Sequence, residues 1–533
     1  MTSRTADVPD ARPVDRRQSD ADRDPPQPPD TPNDAPLAWT HVELIALGAL
    51  VLGFVVAAAW TLGRQSLTAD EAATWAISGH SAGDLIHVLG SSGGDRAAGL
   101  YYVTLFLWVR VFGTSASALR ALSVLAGAAT LPVFYVVARR LGRGVAFTAD
   151  LLLAASPFFV LYARQARAYS LAVLLVVLTA WALLLAIETD EPRRWMMFVV
   201  AATLALYTQW FTVLVIVAFC GAALATSRGR VSRRAVAASA ALLLLASPIA
   251  VLVAAGDTGG VVWIAPLSAA QLRDLAVSLT GTHSHLAWLA LFGVAAVGLV
   301  VATRRGRRGT ADVSTVAAMA ATWFAVPTGL LVVVSVGKPL LVSRYLLVTV
   351  PGLALLLALG LAALARRRVA LMISGVALLS ALGWSAYAPL WATRHVDEDW
   401  SGIVETVAAH AAPGQAVFVY PANAVYAFGY AARATAPLDH RRGPTWPPVA
   451  WDTAYGRDTP STVSVLRAAA TVPTTTVWLV IRDPVGPTIS ATTSNPATLR
   501  ALQQVLARRF PHRDVVERFA HRTASVVRYT SSG

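Results

Sequence analysis

From His41 to about Pro389 the chain alternates long apolar runs with short polar breaks. A helix needs about 20 mostly apolar residues to cross about 30 Å of hydrocarbon. The runs predict about eleven spans, at roughly 41–62, 117–138, 144–162, 169–188, 195–208, 211–227, 234–255, 286–303, 314–336, 346–365 and 368–390. Around Thr208-Gln209-Trp210 the pattern reads as two short helices meeting at an outer turn rather than one long kinked helix. Leu100 to Phe112 is apolar but short and carries Arg110, so it reads as an amphipathic helix lying on the outer membrane surface. It then belongs to one long first outer loop, residues 63–116.

The loops support this count. With the N-terminus in the cytoplasm, Arg139-Arg140-Leu141-Gly142-Arg143, the stretch around Arg193-Arg194, Arg228 to Arg234, Arg304 to Arg308 and Arg366-Arg367-Arg368 all fall on the cytoplasmic side. Short loops rich in Lys and Arg stay inside, and one missed span would scatter them over both faces. The outer face receives residues 63–116, 164–169, 208–210, 256–285, 338–345 and everything after about Pro389.

The ends differ from the middle. Residues 1–37 are rich in Asp, Arg and Pro without periodicity, which predicts a disordered cytoplasmic tail. The first apolar run starts too far from Met1 for a cleaved signal peptide. In residues 391–533, Gln415 to Tyr420 and Thr476 to Ile481 read as buried strands, and Trp400 to Ala411 and Thr498 to Arg509 as helices. That alternation predicts a small extracytoplasmic α/β domain. The expected fold is therefore a polytopic α-helical membrane protein, its membrane domain spanning residues 38–390, with a C-terminal α/β domain.

Composition agrees: of 533 residues, 56% are hydrophobic and 14% charged, against about 25% charged in soluble domains. Mean hydropathy is +0.56. The net charge of +14 could suggest nucleic acid, but the basic residues sit in short loops where they orient spans, so no nucleic-acid partner is expected. Cys220 is the single cysteine, which excludes an intrachain disulfide and a Cys-based metal site.

The chemistry-bearing residues collect on the outer side. Asp70-Glu71 lies a few residues beyond the first span, in Leu67-Thr68-Ala69-Asp70-Glu71-Ala72. An ionised carboxylate is costly near hydrocarbon; at the water-facing mouth of a bundle the pair can act as base or metal ligand, or be a solvated loop acid. Arg344, beside Tyr345 and near Lys338, can hold an anion or snorkel as an ordinary interfacial arginine. Arg164 and Arg167 lie in an outer turn, against the cytoplasmic bias. His283 and His285 read as a plain loop feature, and Trp263, Trp391 and Trp400 as interfacial aromatics. Glu43 and Asp150, near cytoplasmic helix ends, need no catalytic role.

In order, Asp70-Glu71, Leu100-Tyr101-Tyr102, Ala118-Leu119-Arg120, Ser156-Pro157 to Tyr162, Arg164-Gln165-Ala166-Arg167-Ala168-Tyr169, Tyr207-Thr208-Gln209-Trp210, Ser343-Arg344-Tyr345-Leu346-Leu347 with Pro351, and Asp399-Trp400 resemble a bacterial GT-C membrane glycosyltransferase. The resemblance is nearest to the protein mannosyltransferase-like group, glycosyltransferase family 39, and covers about residues 40–420. It implies a polyprenyl-phosphate-linked sugar donor, an extracytoplasmic glycan, lipid or protein acceptor, and transfer on the outer face of the cell membrane. It also implies Asp70 as general base with Glu71 supporting it, and inversion by a single displacement. Arg344, Tyr345, Lys338, Arg164, Arg167 and Tyr102 become candidate substrate-binding residues. Gln165 stands where many members carry an acid and Gln209 where many carry His after Tyr-Thr; an amide is a weak metal ligand, so no metal or other cofactor is expected. The rival readings are a transporter or flippase of lipid-linked sugars, and a degenerate non-catalytic member. A transporter would place polar or broken-helix sites near the midplane, often in repeated halves, and neither is evident in the sequence.

Overall fold

The computed structural model describes residues 39–79, 81–90, 98–226, 233–255, 264–308, 311–365, 368, 375–377, 384–392, 398–412, 414–421, 424–435, 462–482, 496–519 and 524–531. The tail at 1–37 and most of the eleventh expected span, 368–390, lie outside these residues. Residues 1–46 form one contact unit and 47–533 another. In the first, Thr40 and Glu43 close a reciprocal cap on the first helix, with Thr40 N donating to Glu43 Oε2 at 2.9 Å and Glu43 N to Thr40 Oγ1 at 3.1 Å.

The membrane part comprises α1 (His41–Ala59), α2 (Ala69–Ser78), α3 (Ala82–Gly90), α4 (Gly99–Phe112), α5 (Ala116–Ala138), α6 (Arg143–Ala154), α7 (Pro157–Ala163), α8 (Tyr169–Thr189), α9 (Pro192–Thr208), α10 (Val213–Thr226), α11 (Arg233–Ala255), α12 (Ala269–Thr280), α13 (His285–Arg308), α14 (Ala311–Gly337), α15 (Val350–Leu364) and α16 (Tyr387–Trp391). Among the described residues, seven helical segments are long and apolar enough to cross a membrane. The bent pair α6–α7, 59° apart, makes an eighth. The bend falls where Ser156 Oγ accepts from Phe159 N to cap α7 and Pro157 takes its first position, because proline suits a first helical turn and not a helix interior. The expected turn at Gln209 is present: α9 stops at Thr208, and Gln209 is extended.

The 3-10 turn Ser343–Thr349 and α15 run through the middle of the bundle, with 94% of that window buried. Glycine permits this packing. A Cβ at Gly298 on α13 would lie 1.8 Å from Leu356 O, and one at Gly360 on α15 only 2.1 Å from Val294 O. Small residues let helix backbones meet where lipid supplies no hydrophobic push.

Contacts sort the loops into the two expected sets. At one end of the bundle Arg140 bridges Glu188 at 2.5 Å and Arg234 bridges Asp190 at 2.8 Å. At the other end, residues 62–71, 164–167, 209–212, 269–280, 338–345, 389–392 and 398–400 bond to or pack on one another. Among the described residues, the basic segments at Arg140 and Arg234 thus share one acidic partner region, Glu188 to Asp190.

The C-terminal region adds α17 (Trp400–His410), β1 (Ala416–Tyr420), α18 (Val425–Thr435), α19 (Thr462–Thr471), β2 (Thr476–Arg482), α20 (Pro496–Arg509), β3 (His512–Phe519) and β4 (Ala524–Thr530). The sheet order is β1-β2-β4-β3, with β1 parallel to β2 and the other pairs antiparallel. Its outer face, Phe418, Leu479 and Val527, packs on Leu502 and Leu506 of α20. Its inner face, Val417, Trp478 and Val526, joins a second core shared with Trp75 and Ile77 of α2, Tyr101 and Leu105 of α4, and Ile403 and Phe428 of α17 and α18. Because that core straddles residue 390, no contact boundary falls there.

Candidate active site

Two adjacent acids meet opposite fates at the first turn of α2. Thr68 and Glu71 form a capping box: Thr68 N donates to Glu71 Oε2 at 3.0 Å, and Glu71 N to Thr68 Oγ1 at 3.3 Å. This turns Glu71 inward, where Arg120 Nε donates to Oε1 at 2.7 Å and Nη2 to Oε2 at 2.8 Å, while Ala166 N adds a third bond at 2.9 Å. Both partners are buried. Desolvation would raise the Glu71 pKa, but the Arg120 charge and these donors hold it below the usual carboxylate range. Arg120 also donates to the carbonyls of Leu62, Gln65 and Ser66, fixing the segment that enters α2.

Asp70, one residue earlier, points the other way. Its side chain is 51% exposed and lies 3.4 Å from Arg344 Nη1. Arg167 Nη1 donates to Asp70 O at 3.2 Å and to Thr74 Oγ1 at 3.1 Å. Desolvation pushes the Asp70 carboxyl up; Arg344, then Arg167 and Arg482, outweigh it and hold the pKa below the usual 3.8. Arg344 is presented by the 3-10 turn before α15, whose preceding residue is anchored where Ser343 Oγ donates to Asp274 Oδ2 of α12 at 2.6 Å. Tyr345 stacks on Phe211, with centroids 3.9 Å apart and planes within 12°. Tyr162 and Tyr169 form an edge contact at 4.9 Å in the same neighbourhood. The result is a half-open acid among guanidinium groups, backed by aromatic rings.

The other expected site residues are placed differently. Arg164, expected as a substrate ligand, is buried, and its guanidinium caps the end of α1: Nη1 donates to Ala58 O and Trp60 O, each at 2.6 Å, and Nη2 to Leu390 O at 2.7 Å. Burial, with the like charge of Arg120, pulls its pKa to about 10, so it stays protonated at neutral pH. Tyr102, expected likewise, is 1% exposed inside the core shared with the α/β region. Arg164 thus serves a helix end and Tyr102 the packed seam with the α/β region, placements that sequence position does not reveal. Lys338 is exposed at the end of α14. His283 and His285 are exposed, with His285 against Trp288 at 4.7 Å. Trp391 donates to Ala57 O at 3.0 Å, and Trp263 lies outside the described residues. Among the described residues no three His, Cys, Asp or Glu side chains converge.

Three contributors carry no sequence motif that singles them out. Asp274 sits on a helix without a recognisable signature. Glu398 and Arg482 are 84 residues apart and meet only because β2 ends beside the entry to α2; the acidic run Asp397-Glu398-Asp399 before Trp400 is the one hint in the sequence. A separate cleft of about 660 Å³ opens between the outer loop and the α/β helices, lined by Arg64, Gln65, Ser115, Ser117, Glu405 and Tyr430.

Known proteins agree with this architecture. The sequence profile of the dolichyl-phosphate-mannose-protein mannosyltransferase family matches residues 98–254. No curated protein sequence matches. The crystal structure of apo ArnT from Cupriavidus metallidurans superposes with TM-score 0.55 at 15% identity, covering 92% of this chain and 98% of that one. The same protein bound to undecaprenyl phosphate gives TM-score 0.55 at 16% identity with the same coverage. The chain thus shares the fold of these ArnT structures, and its stretch 98–254 is similar to the mannosyltransferase family.

Proposed function

We propose that this protein transfers a sugar from a polyprenyl-phosphate-linked donor to an acceptor outside the cytoplasm, with Asp70 as general base. The fold, the profile match and the lipid phosphate carried by ArnT support the donor class. One observation carries the choice of residue: of the two acids at the mouth, Glu71 has both oxygens occupied, whereas Asp70 is half exposed beside Arg344.

The reaction follows from the placement. Arg344, with Arg167 beside it, meets the donor phosphate at headgroup depth, where a planar guanidinium suits two oxygens. The acceptor hydroxyl loses its proton to Asp70 as its oxygen attacks the anomeric carbon. The bond from that carbon to the phosphate oxygen breaks, and the lipid phosphate leaves with the electron pair. A positioned carboxylate is worth about 10²–10⁴-fold. The phosphate is already a good leaving group, so no second acid is required, and one displacement inverts the anomeric centre. Tyr345 stacked on Phe211 offers an apolar ring surface for the donor, and Lys338 a cation at the outer end of its span. Glu71 supports Asp70 by fixing α2. The basic-loop pattern supports a cytoplasmic N-terminus and an outward α/β domain in the cell membrane. The acceptor on this reading is a cell-wall glycan, lipid or protein, and the transferred group a hexosyl or pentosyl sugar.

The test works whatever the sugar is. A strain lacking the gene should accumulate a polyprenyl-phosphate-linked sugar and lose one outer glycan residue. The wild-type gene should restore both phenotypes and Asp70→Asn neither. Restoration by Asp70→Asn at equal membrane abundance removes Asp70 from the mechanism.

A further inference from the structure

The α/β region reaches the base of α2 through one charged pair. Glu398, just before α17, accepts Ala69 N–H on Oε2 at 2.7 Å and Trp400 Nε1 on the same oxygen at 3.1 Å. Its Oε1 pairs with the Arg482 guanidinium at the end of β2, Nε lying at 3.2 Å. The backbone follows: Ser66 Oγ donates to Glu398 O at 3.0 Å. Ala69 precedes Asp70, so the contact holds the acid-bearing turn at its first amide. Both side chains are largely buried, 16% exposed for Glu398 and 20% for Arg482.

We infer that Glu398 and Arg482 are positioning residues, a latch by which the α/β region holds the Asp70 turn in place and sets the electrostatic field at its carboxylate. The inference deepens the proposed function by making residues after 397 part of the catalytic unit. The Ala69 hydrogen bond fixes position. The Arg482 cation, partly neutralised by Glu398, sets field. Around Asp70 the other charged or titratable groups are Arg344, Arg167, Tyr162 and Tyr345; behind α2 stand the Glu71–Arg120 pair and, from α18, Tyr430 and Arg433 packed on Trp75. Arg482 shares its charge with Glu398, a carboxylate that enters the α/β region.

A reporter thiol reads the field without donor or acceptor, so the outcome is separate from that of the transferase reading. In the full-length protein carrying Cys220→Ser and Asp70→Cys, the rate of modification by an impermeant methanethiosulfonate is measured against pH to give the thiol pKa at position 70. Adding Arg482→Gln should raise that pKa by about half a unit, the size expected of one partly screened neighbouring charge. Adding Glu398→Gln should lower it by a similar amount, because Arg482 loses its neutralising partner. A merely structural latch moves neither. With native Asp70, Glu398→Ala should speed amide exchange at residues 69–72 by about tenfold, the worth of one hydrogen bond, leaving α5 unchanged. If Glu398→Gln does not fold, Glu398→Asp serves: one methylene shorter, it keeps the charge on Arg482 and loses the Ala69 contact, so exchange rises with the thiol pKa unmoved. Shifts in one common direction, no shifts, or unchanged exchange overturn the latch.

Discussion

Glu71→Gln is the sharpest test of how this site is built, because the two roles open to Glu71 predict different losses. In the wild type its two oxygens accept from Arg120 Nε, Arg120 Nη2, Ala166 N and Thr68 N. A glutamine keeps one acceptor atom and turns an NH₂ group toward donors, so on either flip two of these contacts become donor against donor. At about 1.5–3 kcal/mol for each hydrogen bond to a charged group, the loss is about 3–6 kcal/mol. That agrees with the about 3–5 kcal/mol found when one partner of a buried ion pair is removed. Equilibrium unfolding in detergent micelles, followed by tryptophan fluorescence, should show destabilisation of this size together with loss of transfer. Arg120→Met should cost at least as much, since the carbonyls of Leu62, Gln65 and Ser66 lose their donor as well. The pH dependence has a fixed sign. The folded pKa of Glu71 is depressed, so its stabilisation is complete above the unfolded value of 4.5 and is lost as pH falls through the lower folded value. The wild type should therefore lose stability below about pH 4.5 more steeply than the variant. A Glu71→Gln protein as stable as wild type within about 0.5 kcal/mol, with reduced turnover, would show that Glu71 acts on substrate and refute the anchor.

Arg164→Met should weaken folding by a few kcal/mol through fraying of the α1 terminus, while Arg164→Lys recovers only part, since an ammonium cannot reproduce the planar fork; the same unfolding assay checks both, and donor affinity should be unchanged in the protein that remains folded. Gly360→Ala should cost about 1–3 kcal/mol or more by overpacking α15 against α13, read as a loss of the monodisperse peak on size exclusion. Gly53→Ala, with open space at its Cβ, is the control and should behave as wild type.

How far the sequence reveals each feature depends on which force sets it. Among the described residues, seven of the eleven expected spans coincide with a helix long and apolar enough to cross, and an eighth with the bent pair α6–α7, because run length against bilayer thickness is a local property. Four α/β elements are legible for the same reason: Ala416–Tyr420 and Thr476–Arg482 are continuous apolar strands buried on both faces, and Trp400–His410 and Pro496–Arg509 carry a helical period. The strand His512–Phe519 is not legible: it is an edge strand, mostly exposed, whose HRDVVERF sequence becomes a strand through its pairing with β4. The bend between α6 and α7 is marked by Ser156-Pro157 but hidden inside one long apolar run. Asp70 and Arg344 are legible as charges just beyond the ends of apolar runs. Arg164 looks equivalent in sequence, and only the carbonyls of Ala58, Trp60 and Leu390 show why that charge lies where it does.

The pairing of Asp70 with Arg344 raises a last question, since a carboxylate held below its ordinary pKa is a weak base. On the proposed mechanism the donor resolves this. Its phosphate brings negative charge to Arg344, and the guanidinium that lowers the Asp70 pKa in the resting site is then shared with a second anion. Both changes raise the proton affinity of Asp70, so the base strengthens when a donor is present to react. The acid limb of kcat/KM, which reports the free enzyme, should then lie below that of kcat, which reports the donor complex. Arg344→Gln should raise the former and shrink the gap between the two. Coincident acid limbs in the wild type would mean that the donor phosphate leaves Arg344 with Asp70, and the phosphate would have to be sought at another cation.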